Sequence, residues 1–540
     1  MELWSLKNQN ILIIDDFSEM RSMMRQMVTS LGAINISTAR NGEEAIACMQ
    51  KTRFDIVLCD YNLGDAKDGQ QILEEAKHRK LINDFTLFLM ITAENTSYMV
   101  MGAMEYFPDD YLNKPFTKTT LQARLRKLMD AKQACKDIYQ CIDKKQYDQA
   151  LAYIDNATQY HSKYRFQLLK LKGDLLLKIE NYVEAEQLYE EILEERELTW
   201  ALLGLGQVYY YTDRFTEAEE LFEQLIELNE NYMPAYDWLA KTTESLGDTK
   251  RAQDVLKQAT QKSPKAILRQ RHLAQVSDKL DDQETCEYAY RQAVENGRFS
   301  CYKNSSDYTG LSKAYLNQGK SDRAMTVTKK LSRDFPGDRS AKLLADILEC
   351  NVYIHDGNTD QANSLIEKSM AVYEKSPELF SCDNAMMLAQ SCFKCDNIDL
   401  GESLIKHVVR NNHDNSQVIA QAQELFNEAG LEKKGQDLID SVCNEVVSLN
   451  NKGVQLAEQG QFEASIDLFI QAAKAMPENI AINLNAAQSI ILNIVKNNGT
   501  SDELMRAKHY LERAETLDKE NEKLCTLNQT YQNLALKLKR

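Results

Sequence analysis

The sequence predicts two folds in one chain: a doubly wound α/β domain over residues 1–130, then an all-α array over residues 131–540. Three observations lead there. Short apolar runs alternate with amphipathic helical stretches as far as Thr117, the pattern of a parallel sheet covered by helices on both faces. Beyond that point helical periodicity continues almost unbroken, and the chain repeats itself at a spacing of 34 residues. With only 7 Pro and 20 Gly in 540 residues, little in the chain breaks helices or makes a long flexible linker.

Taken in order, Ile11-Leu12-Ile13-Ile14 is a first buried strand, closed by Asp15-Asp16. Ser18 then offers an N-cap to a helix whose inner face carries Met20, Met23, Met24, Met27 and Val28 and which stops at Gly32. Ile34 to Thr38 makes the next strand, and a helix over Glu43 to Gln50 follows Asn41-Gly42. Phe54 to Asp60 is the central strand: apolar, partly β-branched, too short for a helix, and ending on a carboxylate. A helix follows from Gln70 to His78. Phe85 to Thr92 is a fourth strand, Thr96 to Phe107 a helix, and Asp110 to Asn113 a short fifth strand before Lys114-Pro115. A last helix of this domain begins near Thr117, and its Leu121, Leu125 and Leu128 run on through Ala131 to Ile142 as a nearly continuous connector.

This order brings Asp15, Asp16, Asp60, Thr92 and Lys114 to one edge, because open α/β sheets gather their chemistry at the carboxyl ends of the strands. Three clustered carboxylates repel one another, at roughly 4 kcal/mol per pair for about 4 Å and an effective dielectric near 20. A cation is therefore expected. Hard oxygen donors with incomplete protein coordination suit Mg²⁺, which keeps waters and takes phosphoryl oxygens. With that charge neutralised, Asp60 is a candidate nucleophile that holds a phosphoryl group as an acyl phosphate.

Asp15-Asp16, Asp60, Thr92-Ala93, Tyr111 and Lys114-Pro115, in this order and spacing, resemble the receiver domain of bacterial two-component response regulators, a flavodoxin-like fold. The resemblance implies Asp60 as phosphoacceptor, with Asp16 and Asp60 binding Mg²⁺ directly, Asp15 through water, and the main-chain carbonyl of Asn62 as a further ligand. It implies that Lys114 pairs with a phosphoryl oxygen, that Thr92 donates its hydroxyl to another, and that Tyr111 is the rotating aromatic that reports the state. Asn62 and Glu94 match the polar pair of chemotaxis-type receivers, which tunes hydrolysis of the phosphoryl group. A cis Lys114-Pro115 bond is implied as well. Residues 62–69 depart from the family pattern, lacking its proline and running one residue long, so an altered loop beside Asp60 and an altered kinase-docking surface are expected.

In the second half, Leu205, Gly206, Ala218 and Phe222 are followed 34 residues later by Leu239, Ala240, Ala252 and Leu256, with Pro264 closing the unit. Small residues at the eighth and twentieth places, a bulky one at the twenty-fourth and Pro at the thirty-second resemble the tetratricopeptide repeat (TPR). The same grammar recurs at Gly173, Ala185 and Tyr189, at Ala274, Tyr290 and Ala293, and at Leu311, Tyr315, Ala324 and Pro336. It continues at Ala362 and Ile366, at Ala389, Ile405 and Val408, at Gly453, Phe462, Phe469, Ala472 and Pro477, and at Ala487, Ala507, Leu511 and Ala514. About ten stacked hairpins starting near Ala150, in a right-handed superhelix with a concave face, are expected. Tyr209, Tyr210, Tyr211, Tyr232 and Tyr236 either line that groove or pack between hairpins, the second being the ordinary reading for any one of them.

A formal charge of −17 disfavours nucleic acid and anionic membranes as partners. No apolar run is long enough to span a bilayer, and the N-terminus has no signal-peptide pattern, so a cytoplasmic protein is expected. The 12 Cys have no framework spacing, and the isolated pair Cys392 and Cys395 reads as core or surface thiols. The function expected is a phosphorelay response regulator, a signalling protein rather than an enzyme, with a sensor histidine kinase as donor and a protein or peptide partner on the array. The competing reading is an adaptor or decoy that binds a kinase or another regulator and inhibits phosphotransfer. Pairing of receivers through the face near Tyr111, giving a homodimer, is left open.

Overall fold

The computed structural model describes residues 5–64, 67–93, 108–160, 162–497, 500–519 and 521–538. Glu94 and the helix expected over Thr96 to Phe107 lie outside them. The chain divides into two compact units, Met1–Gln318 and Gly319–Arg540.

Five parallel strands, β1 (Asn10–Ile14), β2 (Asn35–Ala39), β3 (Ile56–Asp60), β4 (Leu87–Thr92) and β5 (Asp110–Asn113), form one sheet in the order β2-β1-β3-β4-β5. Side chains alternate between its two faces. Leu12, Ile14, Val57, Cys59, Phe88 and Met90 pack under α2 (Gly42–Lys51) and α3 (Gly69–His78). Their neighbours Ile11, Ile13, Ile56, Leu58, Leu89 and Ile91 pack under α1 (Ser18–Ser30) and α4 (Lys118–Ala134). Each such side chain, fully withdrawn from water, contributes about 1.5–3 kcal/mol, which is why apolar runs buried on both faces fix the strands.

Several boundaries differ from the sequence reading for local reasons. Ile34 is 66% exposed and β2 begins one residue later. Phe54 and Asp55 precede β3, where the Asp55 carboxylate accepts the Asn10 N–H at 2.7 Å and anchors β1 instead. Ser18 is not the N-cap of α1. That position belongs to Phe17, which has no side-chain cap, while its N–H donates to Asp15 Oδ1 at 2.9 Å. The connector is interrupted at one residue: α4 ends at Ala134, the buried Cys135 takes a turn conformation, and a new helix spans Lys136–Asp143.

From there the chain is a succession of antiparallel helical hairpins. The repeat grammar has a steric basis. A Cβ on Gly173 would stand 2.5 Å from the Tyr189 hydroxyl, and one on Gly206 would stand 2.5 Å from the Phe222 ring, so the small eighth residue is the notch for the bulky twenty-fourth. Ala185, Ala218, Ala252, Ala274, Ala293, Ala324, Ala362, Ala389, Ala487, Ala507 and Ala514 are all fully buried. Of the tyrosines, Tyr236 is buried and donates to the Glu230 carbonyl at 3.0 Å, whereas Tyr211 is 48% exposed and stacks on Tyr182 with ring centres 5.5 Å apart.

The units longer than 34 residues trace to long helices, above all the 27-residue helix Glu432–Glu458. It packs against Ser416–Glu428 at one end and Phe462–Ala475 at the other, with Gly435 against Phe426 and Gly453 against Phe469. One helix thus serves two hairpins.

Candidate functional site

β1, β3, β4 and β5 each deliver a side chain to the carboxyl edge of the sheet. Asp15 follows β1 and is fully buried; Asp16 beside it is exposed. Asp60 and Thr92 are the last residues of β3 and β4 and are 5% and 6% exposed. Lys114 follows β5, fixed by its N–H donating to the Thr92 carbonyl at 2.7 Å. The Lys114-Pro115 bond is cis, as the resemblance implies.

These residues converge. Lys114 Nζ stands 2.9 Å from Asp15 Oδ2 and 3.0 Å from Asp60 Oδ2, so one ammonium bridges two acids. Oxygens of Asp15, Asp16 and Asp60 lie within 4.8 Å of one another. Three carboxylates against one ammonium leave negative charge uncompensated. Burial raises the Asp60 carboxyl to about 6; the Lys114 hydrogen bond and charge hold it down in part, and Asp15 and Asp16 push it further up. Burial alone would lower Lys114, but its bonds to Asp15 and Asp60 carry it above its ordinary value. This donor set, oxygen only and open to solvent on the Asp16 side, fits a hard divalent cation.

Two further residues that the resemblance implies in the site are Tyr111 and Asn62. Tyr111, on β5, has its hydroxyl buried with no hydrogen-bond partner among the described residues, and burial pushes its phenol well up. The Asn62 side chain is exposed and accepts the Gly64 N–H at 3.2 Å.

Sequence reasoning missed Asp68. It is the N-cap of α3 in a full capping box: its carboxylate accepts the Gln71 N–H at 2.9 Å, while Gln71 Oε1 accepts the Asp68 N–H at 3.1 Å. Burial raises its carboxyl, offset in part by the Gln71 N–H and by Lys265 from the repeat array. The Asp-x-x-Gln spacing at 68–71 was the signal available in the sequence.

The response regulator receiver domain family matches residues 11–126, and the tetratricopeptide repeat family matches residues 142–197 and 200–232. The chain is 33% identical over 130 residues to chemotaxis protein CheY-3 of Vibrio cholerae, covering 24% of this chain and 98% of that protein. It is 28% identical over 120 residues to chemotaxis protein CheY of Pseudomonas aeruginosa, covering 22% of this chain and 95% of the relative. Among solved structures, the chemotaxis response regulator CheY4 of Vibrio cholerae matches at 28% identity and a TM-score of 0.21, over 22% of this chain and 98% of that one.

Proposed function

The chain belongs to the response-regulator receiver family through residues 11–126, and on that footing we propose that it accepts a phosphoryl group on Asp60 from a sensor histidine kinase. The observation that carries the reading is the bridge from Lys114 to both Asp15 and Asp60 at the mouth of an acidic crevice. In the transfer, an Asp60 oxygen bonds to phosphorus, the N–P bond of the kinase phosphohistidine breaks, and its electron pair returns to the imidazole nitrogen, which takes up a proton. Lys114 meets the charge on the arriving phosphoryl oxygens, and the Thr92 hydroxyl donates to one of them. Asp15, Asp16, Asp60 and the main-chain carbonyl of Asn62 would hold Mg²⁺, whose charge neutralises the transferring group when it is bound. Tyr111 reports the state by rotating, and Asn62 and Glu94 position the water that removes the phosphoryl group.

The output is protein binding. Phosphorylation regulates a protein or peptide partner held by the TPR array, in the cytoplasm, and a tenfold change in affinity needs only about 1.4 kcal/mol of differential interaction between the two states. The test is incubation of the full chain with acetyl phosphate and Mg²⁺, followed by mass spectrometry of the peptide containing Asp60. One phosphoryl group on that peptide, absent without Mg²⁺ and absent in Asp60→Asn, is expected. An unlabelled Asp60, or equal labelling of Asp60→Asn, overturns it.

A further inference from the structure

Helix α3 is covered on two sides. Ile72, Leu73 and Ala76 face the sheet. Gln71, Glu74 and His78, spaced three and four residues apart on another stripe, face the repeat array within the same compact unit. There the short helical turn Gly297–Phe299 ends the helix Gln283–Asn296, and Ser300 to Tyr302 follow.

The contacts are polar and specific. The Ser300 hydroxyl donates to Glu74 Oε1, and Cys301 Sγ lies 3.4 Å from the same oxygen. Gln71 Nε2 reaches the Asn296 carbonyl at 3.4 Å, and Tyr302 meets His78 edge to face with ring centres 5.4 Å apart. Glu74 is 3% exposed and Ser300 8%: a carboxylate on the outward stripe of a receiver helix is buried because the array covers it.

A second contact touches the loop that follows the phosphoacceptor. Lys265 Nζ is 3.6 Å from Asp68 Oδ2 and 6.0 Å from the centre of the Tyr61 ring. Tyr61 is the residue after Asp60, and its carbonyl accepts the Gly69 N–H at 2.8 Å at the start of α3. A cavity of about 260 Å³ opens along this seam, lined among others by Asn62, Gly64, Lys265 and Phe299. Lys265 of the array therefore stands against two receiver positions, Tyr61, one residue from Asp60, and Asp68, the cap of α3.

We propose that the α3 stripe, with Tyr61 and Asp68 beside it, is the receiver's output surface, and that its occupant is the 265 and 296–302 segment of this chain's own repeat array. Phosphorylation at Asp60 displaces Tyr61 and Asp68 and loosens the seam. The coupling rests on Asp60 being the phosphoacceptor; the seam does not. By linkage, a seam that phosphorylation loosens also opposes phosphorylation, so breaking it favours the phosphorylated state.

Hydrogen exchange by mass spectrometry on the full chain tests both parts. In the unphosphorylated protein, Glu74→Lys and Lys265→Glu are expected to raise exchange about tenfold in peptides covering 69–78 and 297–303, with Glu74→Gln near the parent because the amide oxygen still accepts from Ser300. Equal exchange in all four proteins overturns the seam. Beryllofluoride with Mg²⁺ is then expected to raise exchange at 297–303 in the parent and to leave Asp60→Asn unchanged. If Asp60 labels with acetyl phosphate while 297–303 stays protected, the coupling is wrong and the phosphoacceptor reading stands. If Asp60 does not label, both fall, whereas the variant comparison still decides the seam.

Discussion

Lys114 divides one positive charge between two acids, and the arithmetic of that site yields three expectations. Removing the cation in Lys114→Met leaves buried carboxylates unpaired and should destabilise the metal-free protein by about 3 kcal/mol at pH 7.5, measured by urea unfolding. Asp60 is raised to about 6 in the fold against about 3.9 unfolded, so the folded state holds its proton more tightly. Its ionised form is therefore a cost that is absent below pH 4 and grows as pH rises to about 6. Asp60→Asn should gain about 2 kcal/mol over the parent at pH 8 in EDTA and nothing at pH 4, by the same measurement. If the crevice takes Mg²⁺, the ion at about 100 times its dissociation constant should stabilise the parent by about 2.7 kcal/mol and Asp16→Asn by far less, in thermal melts. Asp15, Asp16, Asp60, Thr92 and Lys114 were legible in the sequence because each ends or follows a strand, and parallel strands share one carboxyl edge. The cap of α1 was not legible: Ser18 has the right chemistry, but the Asp15 side chain claims the Phe17 N–H.

At the scale of elements, periodicity carried most of the information. The alternation 11, 13 against 12, 14 in β1 is the sheet itself, since each parity feeds a different core. In the array, each glycine notch is a distance constraint between two helices. Gly206→Val should cost about 2–3 kcal/mol by forcing the Phe222 ring aside, with Gly206→Ala intermediate, read from denaturant midpoints. What periodicity does not carry is where a helix ends when nothing marks the end. Residues 432–458 hold no Pro, and their glycines serve as notches for Phe426 and Phe469 rather than as stops, so two elements fuse into one. The break at Cys135 is the converse case: a buried side chain turns the chain where the pattern alone runs straight through.

At the scale of the molecule, the two halves were legible separately and their meeting was not. Glu74 and Ser300 are 226 residues apart, and neither belongs to a motif that points to the other. Thiol reactivity samples the chain as a whole: Cys525 is exposed while Cys59, Cys135, Cys141, Cys286, Cys350 and Cys392 are buried. Under native conditions Cys525 should be modified first by a maleimide, with the buried six reacting only on unfolding, as peptide mass spectrometry resolves. Within residues 319–540 the shared helix has a mechanical corollary. At 27 residues it is a rod about 40 Å long, with a hairpin partner clasped to each end. A ligand that tilts the Ser416–Glu428 end cannot leave the Phe462–Ala475 end where it was, because no joint between them absorbs the rotation. That stretch behaves as a seesaw, and an event at one clasp arrives at the other as displacement.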